Sequence, residues 1–89
     1  MTNNQESILT FPCEFPIKVF GKKEDAFETA VLAIVKNHVK DLKEDCLSTR
    51  DSKDGKYIAL TITFTAESQA QLDAIYQDLS KNELVLLAL

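Results

Sequence analysis

Phe11-Pro12-Cys13-Glu14-Phe15-Pro16-Ile17-Lys18-Val19-Phe20-Gly21 is the stretch on which the fold turns. From Phe15 onward the side chains alternate. Phe15, Ile17 and Val19 share one face, and Pro16, Lys18 and Phe20 share the other, the period-two signature of a half-buried strand. Pro12 fixes its own backbone and biases Phe11 toward an extended form, and Pro16 is tolerable because it sits near the start of the strand. Gly21 closes the run and permits a sharp turn at positive φ.

The period then changes. Over residues 24–39, Phe27, Ala30, Val31, Ile34, Val35 and His38 fall on one helical face, with Glu28, Thr29 and Lys36 opposite. Asp25 and Glu28 have capping-box spacing, with Asp in place of the usual hydroxyl residue. Lys40 and Lys43 follow near the helix C-terminus, where cations oppose the helix dipole favourably. After a charged connection, residues 46–50 read as a weakly alternating second strand, and Asp54-Gly55 as a hairpin turn. Residues 56–64 form the clearest strand: Ile58, Leu60, Ile62 and Phe64 point one way, Tyr57, Ala59, Thr61 and Thr63 the other. Thr65 or Ser68 can cap a second helix ending near Leu79, Ser68 with Gln71 matching the capping-box pattern, and the helix stripe is Leu72, Ile75, Tyr76 and Leu79. Residues 83–89 make a last, almost wholly apolar strand.

This order, βαββαβ, specifies an α+β, ferredoxin-like sandwich. Right-handed crossovers set the first and last strands side by side, giving a four-stranded antiparallel sheet of order 4-1-3-2 with both helices on one face. The face formed by Phe15, Ile17, Val19, Ile58, Leu60, Ile62 and Phe64 is the one under the helices. The opposite face is left open to solvent or a partner. Residues 11–89 form a single domain, and residues 1–10, polar except for Ile8 and Leu9, form a flexible lead.

Bulk properties narrow the function. With 45% hydrophobic and 27% charged residues, the chain sits in the globular range, so disorder is not the default. A net charge of −4, concentrated in Glu67, Asp73, Asp78 and Glu83 against Lys81, is wrong for binding a phosphate backbone or an anionic membrane surface. No apolar run approaches the roughly 20 residues that span a bilayer, and the polar start does not read as a signal peptide. A cytoplasmic protein is therefore expected. Cys13 and Cys46 make no CxxC pair; across an intervening strand they are too far apart for a disulfide, and free thiols suit a reducing compartment.

The chemistries common on such a sandwich are missing their residues. A phosphate-gripping enzyme needs an arginine after the first strand, but that turn is Gly21-Lys22-Lys23-Glu24 and the single arginine is Arg50. A soft-metal carrier needs paired thiolates in the same turn. An RNA platform needs aromatics across the open face; Phe20 and Tyr57 qualify, but Ala59 and Thr61 occupy the neighbouring positions. His38, the single histidine, reads as a boundary residue favoured by the helix dipole. Glu24/Asp25 and Glu44/Asp45 read as solvated charges. No catalytic residue, metal ligand or cofactor is expected.

Two features remain. At the turn Gly21, Lys22 and Lys23, N–H groups at a helix start beside two lysines suit a small anion, or the turn is an ordinary strand-to-helix connection. The second is Leu84-Val85-Leu86-Leu87-Ala88-Leu89, an edge strand apolar on both faces. Either Leu84 and Leu86 join Lys18, Phe20 and Tyr57 in a partner surface on the open face, or the extra leucines pack under Ile8 and Phe11.

Phe11-Pro12, Phe15, Lys18-Val19, Gly21, Ser52-Lys53-Asp54-Gly55, Tyr57, Thr61-Ile62-Thr63, Leu72 to Tyr76 and Leu79, with the apolar C-terminal strand, resemble the YbeD-like family of small bacterial proteins. The resemblance spans nearly all of residues 11–89, more loosely between Lys22 and Asp45. It implies a ferredoxin-like fold similar to ACT regulatory domains, and with it effector binding near the first turn and pairing of domains. The expected function is a non-catalytic regulatory or adaptor module that contacts another protein or a second copy. The alternative is an ACT-like sensor of a small-molecule effector at Gly21–Lys23.

Overall fold

A computed structural model describes residues 10–89. In chain order the elements are β1 (Cys13–Lys22), α1 (Asp25–His38), a short 3-10 turn (Glu44–Cys46), β2 (Leu47–Asp51), β3 (Tyr57–Ala66), α2 (Gln69–Lys81) and β4 (Val85–Ala88). The strands form one four-stranded sheet of order β2-β3-β1-β4, all neighbours antiparallel. This is the expected ferredoxin-like order, with both helices packed on one face.

The central ladder is longer than its alternation suggested. β1 and β3 pair without interruption from Cys13↔Ala66 to Lys22↔Tyr57. Cys13, expected ahead of the strand, is its first residue. Cys46, expected to open β2, belongs instead to the 3-10 turn. The hairpin between β2 and β3 turns at Gly55, whose φ of +72° lies in the left-handed region that favours glycine. Asp54 fastens that turn by accepting from Ser52 Oγ at 2.7 Å and from the Lys56 N–H at 3.1 Å. The Ser52 hydroxyl, followed by the Lys56 N–H, holds the Asp54 carboxyl below the usual carboxylate range.

The core lies between the sheet and the helices. Ile17 and Val19 from β1, Leu60 and Ile62 from β3, Phe27, Val31 and Val35 from α1, and Ile75 and Leu79 from α2 are fully buried. Phe27, Val31 and Val35 recur every four residues, so α1 offers one narrow stripe, and Leu72, Ile75 and Leu79, spaced by three and then four residues, form the stripe of α2. Phe15 and Ile58, at the ends of the apolar rows, are half-buried and pack against this core.

The helix ends differ from each other. Ser68 caps α2 as expected, its Oγ accepting from the Gln71 N–H at 3.1 Å. The Gln71 side chain then reaches both ways: its Oε1 accepts from the Glu67 N–H at 2.7 Å, and its Nε2 donates to the His38 carbonyl at 2.8 Å. One residue thus caps the start of α2 and the end of α1. Asp25, expected to cap α1, is its first helical residue. The N-cap is Glu24, extended and without a side-chain cap bond. Glu24→Ser places a hydroxyl within reach of the orphan N–H groups, and a gain of about 0.5–1 kcal/mol is expected. Urea unfolding followed by circular dichroism checks it; an unchanged midpoint would show that another group already satisfies this end.

Candidate functional site: the open sheet face and the turn after β1

The expected ligand turn is taken apart by its packing. Gly21 does not form the turn and has no positive φ. It lies inside β1, buried, paired with Ile58 on one side and Val85 on the other. Its missing side chain makes room for neighbours: a Cβ at this position would stand 2.5 Å from the Leu84 carbonyl oxygen and 2.7 Å from Cζ of Phe27. Lys23 is engaged as well. Its N–H donates to the Lys56 carbonyl at 2.9 Å, and its Nζ pairs with Asp51 Oδ2 at 2.5 Å. Both side chains of that pair are about half exposed, so it contributes a few tenths of a kcal/mol up to about 1. The hollow at the start of α1 is lined by Glu24, Asp25 and Glu28 as well as Lys23. Three carboxylates oppose an anion at this helix terminus.

Lys22 belongs elsewhere. As the cross-strand partner of Tyr57, it continues the row Lys18, Phe20, Lys22 along the uncovered side of β1. The ladder registers assemble the rest of that face. Phe20 stands between Ala59 of β3 and Leu87 of β4, and Ala59 is in turn opposite Arg50 of β2. One step along, Lys18 lies between Thr61 and Leu89; its N–H donates to the Leu89 main-chain oxygen at 3.0 Å, and the Leu89 N–H donates to the Lys18 carbonyl at 2.7 Å. The face therefore carries Phe20, Tyr57, Leu87 and Leu89 in an apolar patch, with Lys18, Lys22 and Arg50 around it. A shallow depression of about 200 Å³ between Phe20, Arg50, Tyr57 and Ala59 marks its β2 side.

The apolar surface is concentrated here and at the adjoining edge. Tyr57 at 44%, Leu86 at 56%, Leu87 at 51% and Leu89 at 60% are the large hydrophobic side chains exposed among the described residues. Lys18, Phe20 and Tyr57 lie on the same face. Leu84 and Leu86 do not. Leu84 precedes β4 and packs against the core. Leu86 falls where the β1–β4 register slips between Phe20 and Gly21, a bulge that turns it to the strand edge beside α2. The bulge changes the parity of the strand, so that Leu87 and Leu89, not Leu84 and Leu86, reach the open face. The expected packing of extra leucines under Ile8 lies outside the described residues.

His38 has a partner that its sequence position did not reveal. Its Nε2 lies 2.7 Å from Asp78 Oδ2, bridging α1 and α2. With the Gln71–His38 bond it straps the two helices together, which gives the histidine a structural role. Cys13 and Cys46 are free thiols, both half-buried. Among the described residues no cluster of three His, Cys, Asp or Glu side chains is arranged to hold a metal ion, and no helix is long and apolar enough to cross a membrane.

A two-layer sandwich of this order, with helices on one side and a bare sheet on the other, defines the ferredoxin-like class to which ACT domains belong. In overall shape the chain is similar to the solution structure of protein HP0495 from H. pylori (TM-score 0.75, 17% identity, covering 91% of this chain and 85% of that one). It is similar also to the ACT domain from the GTP pyrophosphokinase of Chlorobium tepidum (TM-score 0.63, 14% identity, covering 85% and 84%). The chain belongs to the DUF493 family, described as a protein of unknown function, whose model matches residues 6–89. Its relatives include the UPF0250 protein NE1487 of Nitrosomonas europaea, 41% identical over 85 residues (96% of this chain, 98% of the relative). The UPF0250 protein of Chromobacterium violaceum is 38% identical over 89 residues, the full length of both. The YbeD-like resemblance read from the sequence is this family.

Proposed function

We propose that the chain is a non-catalytic regulatory or adaptor module of the cytoplasm that works by protein contact through its open sheet face. The observation that carries this reading is the patch of Phe20, Tyr57, Leu87 and Leu89 on a sheet face that no helix among the described residues covers. Exposed contiguous apolar surface rimmed by charge is characteristic of contact sites, and aromatic side chains are enriched there. Two free thiols suit a reducing compartment. Tyr57→Ser/Leu87→Ser removes two exposed anchors without touching the core. The expected result is at least a ten-fold loss, relative to wild type, of whatever contact the chain makes, read as partner capture from native extract and as solution mass by light scattering. A variant indistinguishable from wild type in both assays would remove the open face from consideration.

A second reading rests on the likeness to an ACT domain: an effector site at Gly21–Lys23. Three acidic side chains at the helix start and a committed Lys23 make this reading the weaker for an anionic effector. A panel of metabolites tested by ligand-induced melting shifts, with Lys22→Ala as control, checks it. A true ligand raises the melting temperature in proportion to the logarithm of its concentration over its dissociation constant; a silent panel retires the idea.

A further inference from the structure

The charges of this protein are segregated between its surfaces. The whole chain is acidic at −4, yet among the described residues the open face carries Lys18, Lys22 and Arg50 against Glu14, which sits at the far end of β1 opposite Thr65, and Asp51, which lines the depression beside Arg50 but is paired with Lys23. None of the three cations takes part in an ion pair among the described residues; the cation pairs there are Lys23–Asp51 and His38–Asp78. All three are exposed. They border the apolar patch on its β1 and β2 sides, with Lys18, Phe20 and Lys22 at alternate positions of one strand and successive members therefore about 6.6 Å apart along it.

Resting on the reading that the open face is a contact site, we propose that its occupant is an acidic segment of a different protein, with carboxylates flanking an apolar or aromatic anchor. The anchor seats on Phe20, Tyr57 and Leu87, and the carboxylates meet Lys18, Lys22 and Arg50. The arginine presents a planar fork suited to a carboxylate, and the lysines act as point charges that steer the approach. A second copy does not fit as well. Two open faces brought together would oppose cation to cation, and like charges across an interface are costly. Open face against helix layer would match in charge, but the exposed large hydrophobic side chains lie on the sheet side and its edge, so the helix layer offers no apolar anchor. A nucleic acid would suit the cations, but Ala59 and Thr61 stand beside Phe20 and Tyr57 where a stacking platform needs further aromatic rings.

The test uses the full chain and defined probes. A fluorescent 12-residue peptide alternating Glu with Leu and Phe is titrated by anisotropy, alongside a Gln-for-Glu counterpart, a Lys-for-Glu counterpart and a single-stranded oligouridine. Amide shift mapping locates the contact. The acidic peptide is expected to bind at least ten-fold more tightly than its Gln counterpart, to perturb Lys18, Phe20, Tyr57 and Leu87, and to weaken as salt is raised. Lys18→Gln/Lys22→Gln/Arg50→Gln is expected to lower affinity at least ten-fold while keeping the wild-type amide spectrum elsewhere; Lys18→Glu/Lys22→Glu/Arg50→Glu is expected to invert the preference toward the Lys peptide. Tighter binding of oligouridine at the same residues would overturn the proposal in favour of nucleic acid, as would acidic and Gln peptides of equal affinity. So would a concentration-dependent dimer abolished by Tyr57→Ser/Leu87→Ser, which would make a second copy the occupant. If partner capture depends on Tyr57 and Leu87 but not on the three cations, the acidic partner is wrong and the open-face reading stands. If it depends on neither, both fall.

Discussion

Gly21→Ala is expected to destabilise the domain by about 3 kcal/mol, a large loss for the addition of one methyl group. Elsewhere, exchanging glycine for alanine stabilises by roughly 0.4–1 kcal/mol, because it restricts the unfolded chain. Here the sign is reversed by two neighbours. The new Cβ would meet the Leu84 carbonyl oxygen at 2.5 Å and press on Cε1 and Cζ of the Phe27 ring. The carbonyl belongs to the backbone entering β4 and cannot rotate away. The ring belongs to a fully buried side chain in the core. Relief therefore requires β4 or α1 to move off β1. Urea denaturation followed by circular dichroism reads the effect as a lowered midpoint at nearly constant slope. A loss below about 1 kcal/mol would show that β4 yields easily and that Gly21 is not a packing requirement.

Phe27→Ala is expected to cost about 4 kcal/mol, within the usual range for deleting a buried phenyl group. Phe27 is fully buried in the first turn of α1 and closes over Gly21. A domain of this length has a total stability of roughly 4–13 kcal/mol, so this variant and Gly21→Ala should each leave a substantial unfolded fraction in mild denaturant. The pair also makes a sharper test than either alone. Removing the ring removes one of the two obstacles to a methyl at position 21, so Gly21→Ala/Phe27→Ala should cost at least about 1 kcal/mol less than the sum of the single losses. The Leu84 carbonyl remains, so the compensation is incomplete. Strict additivity would mean that the two residues do not share the space the structure assigns them.

Most of the scaffold was legible because its signals are local. Phe15, Ile17 and Val19 declare β1 by alternation, Phe27, Val31 and Val35 declare α1 by a four-residue recurrence, and Ser68 declares the start of α2 by its cap. The errors fall where a neighbour decides. Cys13 joins the sheet because Ala66 is opposite it. Asp25 does not cap α1 because the chain turns one residue earlier, at Glu24. Gly21 suggests a turn to any reader of sequence, and only the arrival of Phe27 and Leu84 explains why no side chain is tolerated there. The candidate surface was half legible. Lys18, Phe20 and Tyr57 follow from parity within β1 and β3. Leu87, Leu89 and Arg50 needed the register of the edge strands, and in β4 the bulge at Leu86 reverses the parity that alternation alone assigns.

The sequence by itself determined the order of elements, the pairing of apolar sets into one core, and the existence of one uncovered sheet face. These depend on periodicity and handedness, which act over a few residues or a single crossover. Tertiary structure alone decided which side chains that face presents. Its composition depends on the register of four strands, and a single bulged residue of β4, Leu86, opposite the step from Phe20 to Gly21, exchanges Leu84 and Leu86 for Leu87 and Leu89. That exchange completes an apolar patch bordered by Lys18 and Lys22, which alternation along β1 already places on one face, and by Arg50, distant in sequence, which joins them only when hydrogen bonding aligns β2, β3 and β1.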